Sequence, residues 1–458
     1  ECKMSSPRIV VIGAGASGIA AATRLAKNGF SNITILEAED RIGGRICSVE
    51  FENDIVDLGA ELVREGSLVY DLVKDYDVVE PRNAAIEVYH PSLGPLPKSF
   101  VDAFVARFTD LLDRKVDGIS WQEYFDENYQ KCIVESFRSE TEKHLAVECR
   151  KCAENLLLFH ALTFPLSEGG ERFGEAPLTF QWGWKTGGYG TFLDILMKDC
   201  AKFQEKIVLS SEVIKIDWQE EIKVACSNGS TYLADHVIAT LPLGALKRQY
   251  RTLFQPPLPM EKAQAIELLR LQSPSQILVH FPSKWWGSND MVFTWTEEEM
   301  DLVDFEMGPK KNGRSWVTAI IGYFVDPRYK NCLSLYNVGD MVQEMEQMDE
   351  TVWLEGLHYL NQKFFARAFP NICKPTKIAR FKWYSNPHFG GVIATETLES
   401  KQRGFGFKTM AEPLLDKAGG LRVLFAGDAT NDSSHALVNA AVYTGFREAD
   451  RIINFYKK

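Results

Sequence analysis

Apolar and polar positions follow two rhythms along this 458-residue chain. Residues 8–12 (RIVVI) form a short β-branched run of the kind that fills a buried strand. The tight, glycine-rich Gly13-Ala-Gly15-Ala16-Ser17-Gly18 follows, and residues 19–27, rich in Ala and Leu, then predict a helix. A second apolar strand over 32–36 ends at Glu37, so the first forty residues read as one βαβ unit. Further on, 100–112, 136–162 and 190–203 predict helices, and 206–217, 222–227 and 236–240 predict strands. Residues 277–281 and 316–324 predict strands of another sheet, and 340–369 a long amphipathic helical region with breaks. Residues 423–426 are a last apolar strand, followed by a Gly-Asp turn and a helix over about 436–456. No repeat of 20–50 residues is visible. Strands near both termini predict an α/β chain whose main sheet draws on distant segments, with insertions forming a second, mixed domain.

Composition changes this picture little. Apolar residues make up 45% and charged residues 25%, which is ordinary for a globular chain and excludes a disordered or fibrous one. With 51 basic and 62 acidic residues the formal charge is −11, which argues against a general nucleic-acid surface and is compatible with a cationic ligand. No apolar run is long enough to span a bilayer. The chain opens at Glu1 rather than Met, and sequons occur at Asn32, Asn228 and Asn431; together these favour a secreted, glycosylated protein slightly over a cytoplasmic one. Of nine cysteines only Cys149 and Cys152 form a CxxC, inside a helical stretch with no second pair and no His at ligand spacing. No metal site is expected; buried free thiols and one or more disulfides both remain open.

The glycine motif carries the first chemical signal. Gly13 permits the tight turn, Gly15 lets backbone approach a pyrophosphate, Gly18 lets helix and strand pack, and the helix N-terminus faces the phosphate charge. Glu37 closes the next strand 24 residues after Gly13, where a carboxylate accepts hydrogen bonds from the adenosine ribose. Arg41, Gly43, Gly44 and Arg45 follow, adding a close backbone approach and cations for phosphate.

This extended pattern resembles the FAD signature of glutathione-reductase-like flavoproteins, and the chain resembles the flavin-containing amine oxidases, closest to their polyamine (spermine) oxidase-like branch. Further matches are Asp57-Leu-Gly59-Ala60, Gly187-Gly188-Tyr189-Gly190, Val213, Thr240-Leu-Pro242-Leu-Gly244 and Phe425-Ala-Gly427-Asp428-Ala429. The resemblance implies a Rossmann-type FAD-binding domain over 7–80, 186–250 and 405–458, and a mixed α+β substrate-binding domain over 81–185 and 251–404. It implies noncovalent FAD, because Gly390-Gly391-Val392-Ile393 stands where some members carry an attachment Cys. It places Ala16, Ser17, Ala38, Gly59, Ala60, Glu61, Val213, Thr240, Trp383, Gly427, Asp428, Leu437 and Val438 at the cofactor with the motif residues above.

On the substrate side the resemblance implies hydride transfer from the α-carbon of a neutral amine to the flavin, hydrolysis of the imine, and reoxidation by O2 with release of H2O2. Here the residues depart from the family. Gln276 stands for a lysine that holds a water, Ile393 for one flanking aromatic, and His435 or Ser434 for the other. Arg64 replaces an entry acid or His, with Glu61 and Glu65 beside it. Phe173-Gly174-Glu175 and Leu178 resemble a segment whose acid faces a cationic substrate, and a solvated loop carboxylate is the alternative for Glu175. The expected function is FAD-dependent oxidation of an amine, polyamines first, with weak polyamine turnover because lysine and aromatic pair are both gone. The alternatives are a flavoenzyme with a different substrate and a catalytically inactive flavin-binding protein.

Overall fold

The computed structural model describes residues 6–82, 84–112, 118–161, 165–169, 182–198, 200, 203–272, 274–431 and 437–457. Strand β1 (Ile9–Ile12), helix α1 (Ala16–Lys27) and strand β2 (Ile33–Leu36) form the first βαβ unit, with β1 and β2 parallel and Ile9 opposite Ile33. Their six-stranded sheet runs in the order Leu414–Leu415, Leu421–Phe425, His236–Ala239, β1, β2, Ile207–Val208. Strands from the first forty residues, the middle and the last fifty thus share one sheet. Both faces are covered, and successive residues of a strand feed opposite cores. Ile9 and Val11 join one cluster with Ile33, Ile35, Ile238 and Leu424, while Val10 and Ile12 join another with Leu36, Val237, Val423 and Phe425. That is why these strands read as unbroken apolar runs rather than alternating ones.

The last helix, α2 (Val438–Tyr456), packs along α1 so closely that a Cβ on Gly445 would lie 2.2 Å from the Ser17 carbonyl oxygen. A four-stranded sheet (Thr231–Ala234, Ile222–Cys226, Val213–Asp217, Phe254–Gln255) lies alongside. A seven-stranded sheet includes Ser275–His280 antiparallel to Cys332–Asn337, with Gln276 opposite Tyr336 and Leu278 opposite Ser334. Val88, Val292 and Ile321 face a helical core on one side of it, and Ile277, Val279, Phe293 and Leu335 face an aromatic-rich core on the other.

Three sequence expectations change. The single strand expected over 206–217 is two: Ile207–Val208 edges the six-stranded sheet, Val213–Asp217 belongs to the four-stranded one, and Ser210 turns the chain at φ 50° between them. The helix expected over 136–162 is broken into Glu140–Glu148 and Arg150–Ala161, with Cys149 at the joint. The strand expected from 316 starts with a helical turn, Trp316–Ala319, before Ile320–Phe324. Among the described residues eight cysteines are free thiols, Cys149 and Cys152 both buried. Asn32 and Asn228 are exposed, whereas Asn431 is fully buried and cannot accept a glycan in the folded chain. Among the described residues no helix is long and apolar enough to cross a membrane.

Candidate active site

One cavity of about 940 Å³ follows the C-terminal ends of β1 and β2 and continues to the seven-stranded sheet. At its first end the chain leaves β1 through Gly13 at φ +102°, where a Cβ would sit 2.5 Å from Thr240 Oγ1. Gly15 caps α1 with no side chain bonded across the cap and no acid in the first turn, so the helix N-terminus is open to an anion. Gly15 bridges Gly43, and Gly44 lies beside it, leaving a floor of bare backbone. Ser17 Oγ is buried without a partner among the described residues and lines the cavity. Glu37 accepts the Ala14 N–H at 2.7 Å and the Glu39 N–H at 2.9 Å. Burial raises its carboxyl pKa, and those two N–H groups oppose the rise.

Arg45 pairs bidentately with Asp428, with Nη1 donating at 2.8 Å, and also donates to the Val392 carbonyl. Burial alone would lower its pKa, but the Asp428 carboxylate outweighs burial and keeps it raised. A bare glycine floor, an uncapped helix N-terminus, an orphaned hydroxyl and a guanidinium fit the pyrophosphate and ribose of FAD. Ala16, Ala38, Gly59, Ala60, Val213, Thr240, Trp383, Gly427, Leu437 and Val438 all line the same cavity. No cysteine does so among the described residues.

One expected cofactor residue, Arg41, spends its side chain elsewhere. Arg41 does not line the cavity; its guanidinium donates to the carbonyls of Ile42, Gly44 and Ile46 and stacks over Phe381, bracing the Gly43–Gly44 turn. Gly18 has the packing role its place in the motif predicts, since a Cβ there would meet the Gly13 carbonyl oxygen at 1.9 Å.

At the far end, Glu61 arrives on the segment after strand Asp54–Asp57, which Leu58 and Ala60 tie down by donating to the Cys47 and Arg45 carbonyls. Trp383, which donates to the Leu58 carbonyl and stacks on Phe381 with ring centroids 4.0 Å apart, presses on the same segment. The Glu61 carboxylate meets Ser334 and Tyr336, two residues apart on one strand and so on one face, and Gln276 opposite Tyr336 on the next. Tyr336 donates its hydroxyl to Oε2 at 2.5 Å, Gln276 donates Nε2–H to Oε2 at 3.0 Å, and Ser334 donates to Oε1 at 3.2 Å. Burial, then the Asp326 carboxylate, push the Glu61 carboxyl up to about 7, against the Tyr336 bond and Arg328. Burial, followed by Glu61, drives the Tyr336 hydroxyl well above its ordinary value.

The structure therefore brings Gln276, Glu61, Arg64 and Ile393 to one cavity. His435 and Glu175, with Ser434, lie outside the described residues. Sequence reasoning missed Ser334, Tyr336 and Phe159. Phe159 packs edge-on against Tyr336 at 5.0 Å between centroids, and both rings line the cavity. Alternation along 332–337 could have shown Ser334 and Tyr336 sharing a face, but nothing local pointed that face at Glu61. Asn439, also on the cavity wall, accepts the Val69 N–H at 2.8 Å and joins α2 to the helix Leu68–Val73.

Comparison with known proteins agrees with this geometry. Residues 16–453 match the family described as "Flavin containing amine oxidoreductase". The chain is 27% identical to Protein anon-37Cs of Drosophila simulans, over 100% of this chain and 93% of that one. It is 25% identical to the peroxisomal N(1)-acetyl-spermine/spermidine oxidase of Bos taurus, over 100% of this chain and 96% of that one. Among solved structures, wild-type putrescine oxidase bound to putrescine superimposes with a TM-score of 0.71 at 16% identity, covering 98% of this chain and 99% of that one.

Proposed function

Since the chain belongs to the flavin-containing amine oxidoreductases, as an FAD-dependent, amine oxidase-like oxidoreductase, we propose that its substrate is a cationic amine, polyamines first, oxidised at a C–N bond with O2 as acceptor. One observation carries this reading. The dinucleotide cradle and the Glu61 cluster share a single cavity; beyond the cradle, where Asp428 is already paired with Arg45, the segment carrying Glu61 lines it with two acids, Glu61 and Glu65, against one guanidinium, Arg64. That balance favours a positively charged ligand.

FAD, when bound, supplies a hydride acceptor that O2 regenerates with release of H2O2. The protein's part is binding, orientation and exclusion of water. The α1 N-terminus, Ser17, Glu37 and the Arg45–Asp428 pair are the groups that would hold FAD noncovalently. Phe159, Tyr336 and Ile393 offer apolar wall for the methylenes of an alkyl amine, and Gln276 takes the place of a titratable lysine without bringing charge.

The test is an amine panel (spermine, spermidine, putrescine and simple monoamines) with peroxide detection and anaerobic loss of flavin absorbance. Bleaching by a polyamine supports the reading. Bleaching by monoamines alone would transfer it to a different substrate class. A fully FAD-loaded protein that no amine bleaches would overturn it and leave a flavin-binding protein.

A further inference from the structure

Glu61 is a buried carboxylate that three neutral groups hold and no cation meets; among the described residues no Lys, Arg or His nitrogen reaches it within ion-pair distance. A buried charge in that position is costly unless something neutralises it. The groups around it partly cancel. Asp326 and Asp57 make its ionisation harder, Arg328 makes it easier, and Arg82 and Tyr329 feel its charge in turn. Arg64 lines the same cavity. Beside Glu61, the Gln276 amide spends its N–H groups on Glu61 and on Ser334 at 3.2 Å. Its oxygen, Oε1, is buried and has no partner among the described residues. Gln276 is 5% exposed and lines the cavity. The free protein thus shows, side by side, a carboxyl group with no counter-ion and an acceptor lacking its donor among the described residues.

A protonated amine nitrogen supplies both missing partners. We propose that Glu61 and Gln276 seat the reacting nitrogen of the substrate: Glu61 takes the ammonium proton, and Gln276 Oε1 accepts an N–H that remains. In this step the ammonium N–H bond breaks, an O–H bond forms on Glu61, the electron pair stays on nitrogen, and the carboxylate becomes a neutral acid. The amine emerges neutral with its lone pair free, which removal of hydride from the neighbouring carbon requires. Among the described residues Glu61 Oε1 accepts only from Ser334, so it keeps room for the proton. A free alkylammonium is a weaker acid than a carboxyl, at about 10.4 for a lysine-like amine. Burial disfavours both charged forms together and narrows that gap. The inference rests on the amine-oxidation reading and adds to it the residue that sets the protonation state of the amine.

The decisive readout is the carboxyl carbonyl-stretch band in infrared difference spectra, taken on holoenzyme whose FAD has been reduced under anaerobic conditions so that amine binds without turnover. In the free holoenzyme the band should fade as pH rises through about 7. At a pH about one unit above that midpoint, added spermidine should restore it in the wild type and not in Glu61→Gln. In turnover, Glu61→Gln should lose roughly 10²-fold in kcat/KM, together with the acid limb of its pH profile. Tyr336→Phe deletes a bond that favours the carboxylate and should move the band's midpoint upward. This keeps the proposal testable if Glu61→Gln folds poorly, because an unmoved midpoint would overturn it. Spermidine that binds by calorimetry without restoring the band, or that restores it equally in Glu61→Gln, also overturns it. If spermidine shows no binding heat but a monoamine restores the band, the seat stands and the polyamine reading falls.

Discussion

At position 276 a lysine and a glutamine differ in more than charge. A lysine ammonium there would lie against the Glu61 carboxylate, which Gln276 now contacts at 3.0 Å, and would fill the place left for a substrate cation. Gln276→Lys is therefore expected to lower kcat/KM for amines by more than about tenfold, a change of roughly 1.4 kcal/mol in the barrier. A rise instead would mean that the cavity is merely depleted of the family lysine. Glu61 also gives stability a pH dependence. Its carboxyl ordinarily titrates near 4.5 and is raised to about 7 when folded, so between those values the native state binds more protons than the unfolded one. Stability from this group therefore falls as pH rises from about 4.5 to about 7, and Glu61→Gln should flatten that slope in urea titrations. Glu37 acts at the other end of the cavity. Glu37→Ala removes the acceptor for two backbone N–H groups as well as the expected ribose contact, and should weaken FAD binding by about 1–3 kcal/mol, read from FAD titration of the apoprotein.

The elements that carry these residues tolerate little added volume. Helices α1 and α2 meet where Gly445 lies against the Ser17 carbonyl, which is backbone and cannot swing aside. Gly445→Ala forces the helices apart at the turn that presents Ser17 to the cavity. The expected loss is about 1–3 kcal/mol in denaturant unfolding, with reduced FAD content in the purified protein. Unchanged stability would mean that α2 shifts freely and that its contact with α1 does not shape the cradle. The broken helix at Cys149 shows the limit of reading elements from periodicity. The apolar spacing continues through 140–161, yet the helix is interrupted at Cys149 (φ −81°, ψ 4°), which is wholly buried among residues from both halves while its N–H and C=O keep their hydrogen bonds to Leu145 and Ala153.

Across the molecule the cofactor cradle and the seven-stranded sheet are joined by charge as well as by packing. Arg328 donates to Asp57 at 3.2 Å and to Asp326 at 2.5 Å, all three buried. Asp57 in turn accepts the Tyr189 N–H at 2.9 Å beside the cavity. Arg328→Met would strand two buried carboxylates, so it should cost about 3–5 kcal/mol in unfolding free energy and weaken FAD retention as well. Saturating FAD should recover part of the loss by binding only the folded form. The whole protein should also release its flavin intact. Acid precipitation is expected to leave yellow FAD in the supernatant, since no cysteine lines the described cavity wall. Colour in the pellet would refute noncovalent attachment.

What the sequence by itself determined is the cofactor end. Gly13, Gly15, Gly18 and Glu37 lie within one βαβ unit, where each meets a backbone or hydrogen-bonding requirement set by neighbours close in the chain. Such requirements leave their mark in residue type and spacing, and the whole family can be recognised from them. A cation near a phosphate loop fits two jobs equally well, and in the structure Arg41 spends its guanidinium on three backbone carbonyls of the Gly43–Gly44 turn. At the other end the sequence names Gln276, Glu61, Arg64 and Ile393, but which of them touch was decided by tertiary structure. Glu61 and Ser334 stand 273 residues apart, and Gln276 and Glu61 215 apart. A carboxyl's solvation, and hence the charge it carries near neutral pH, depends on which groups surround it in space, and no spacing along the chain records that.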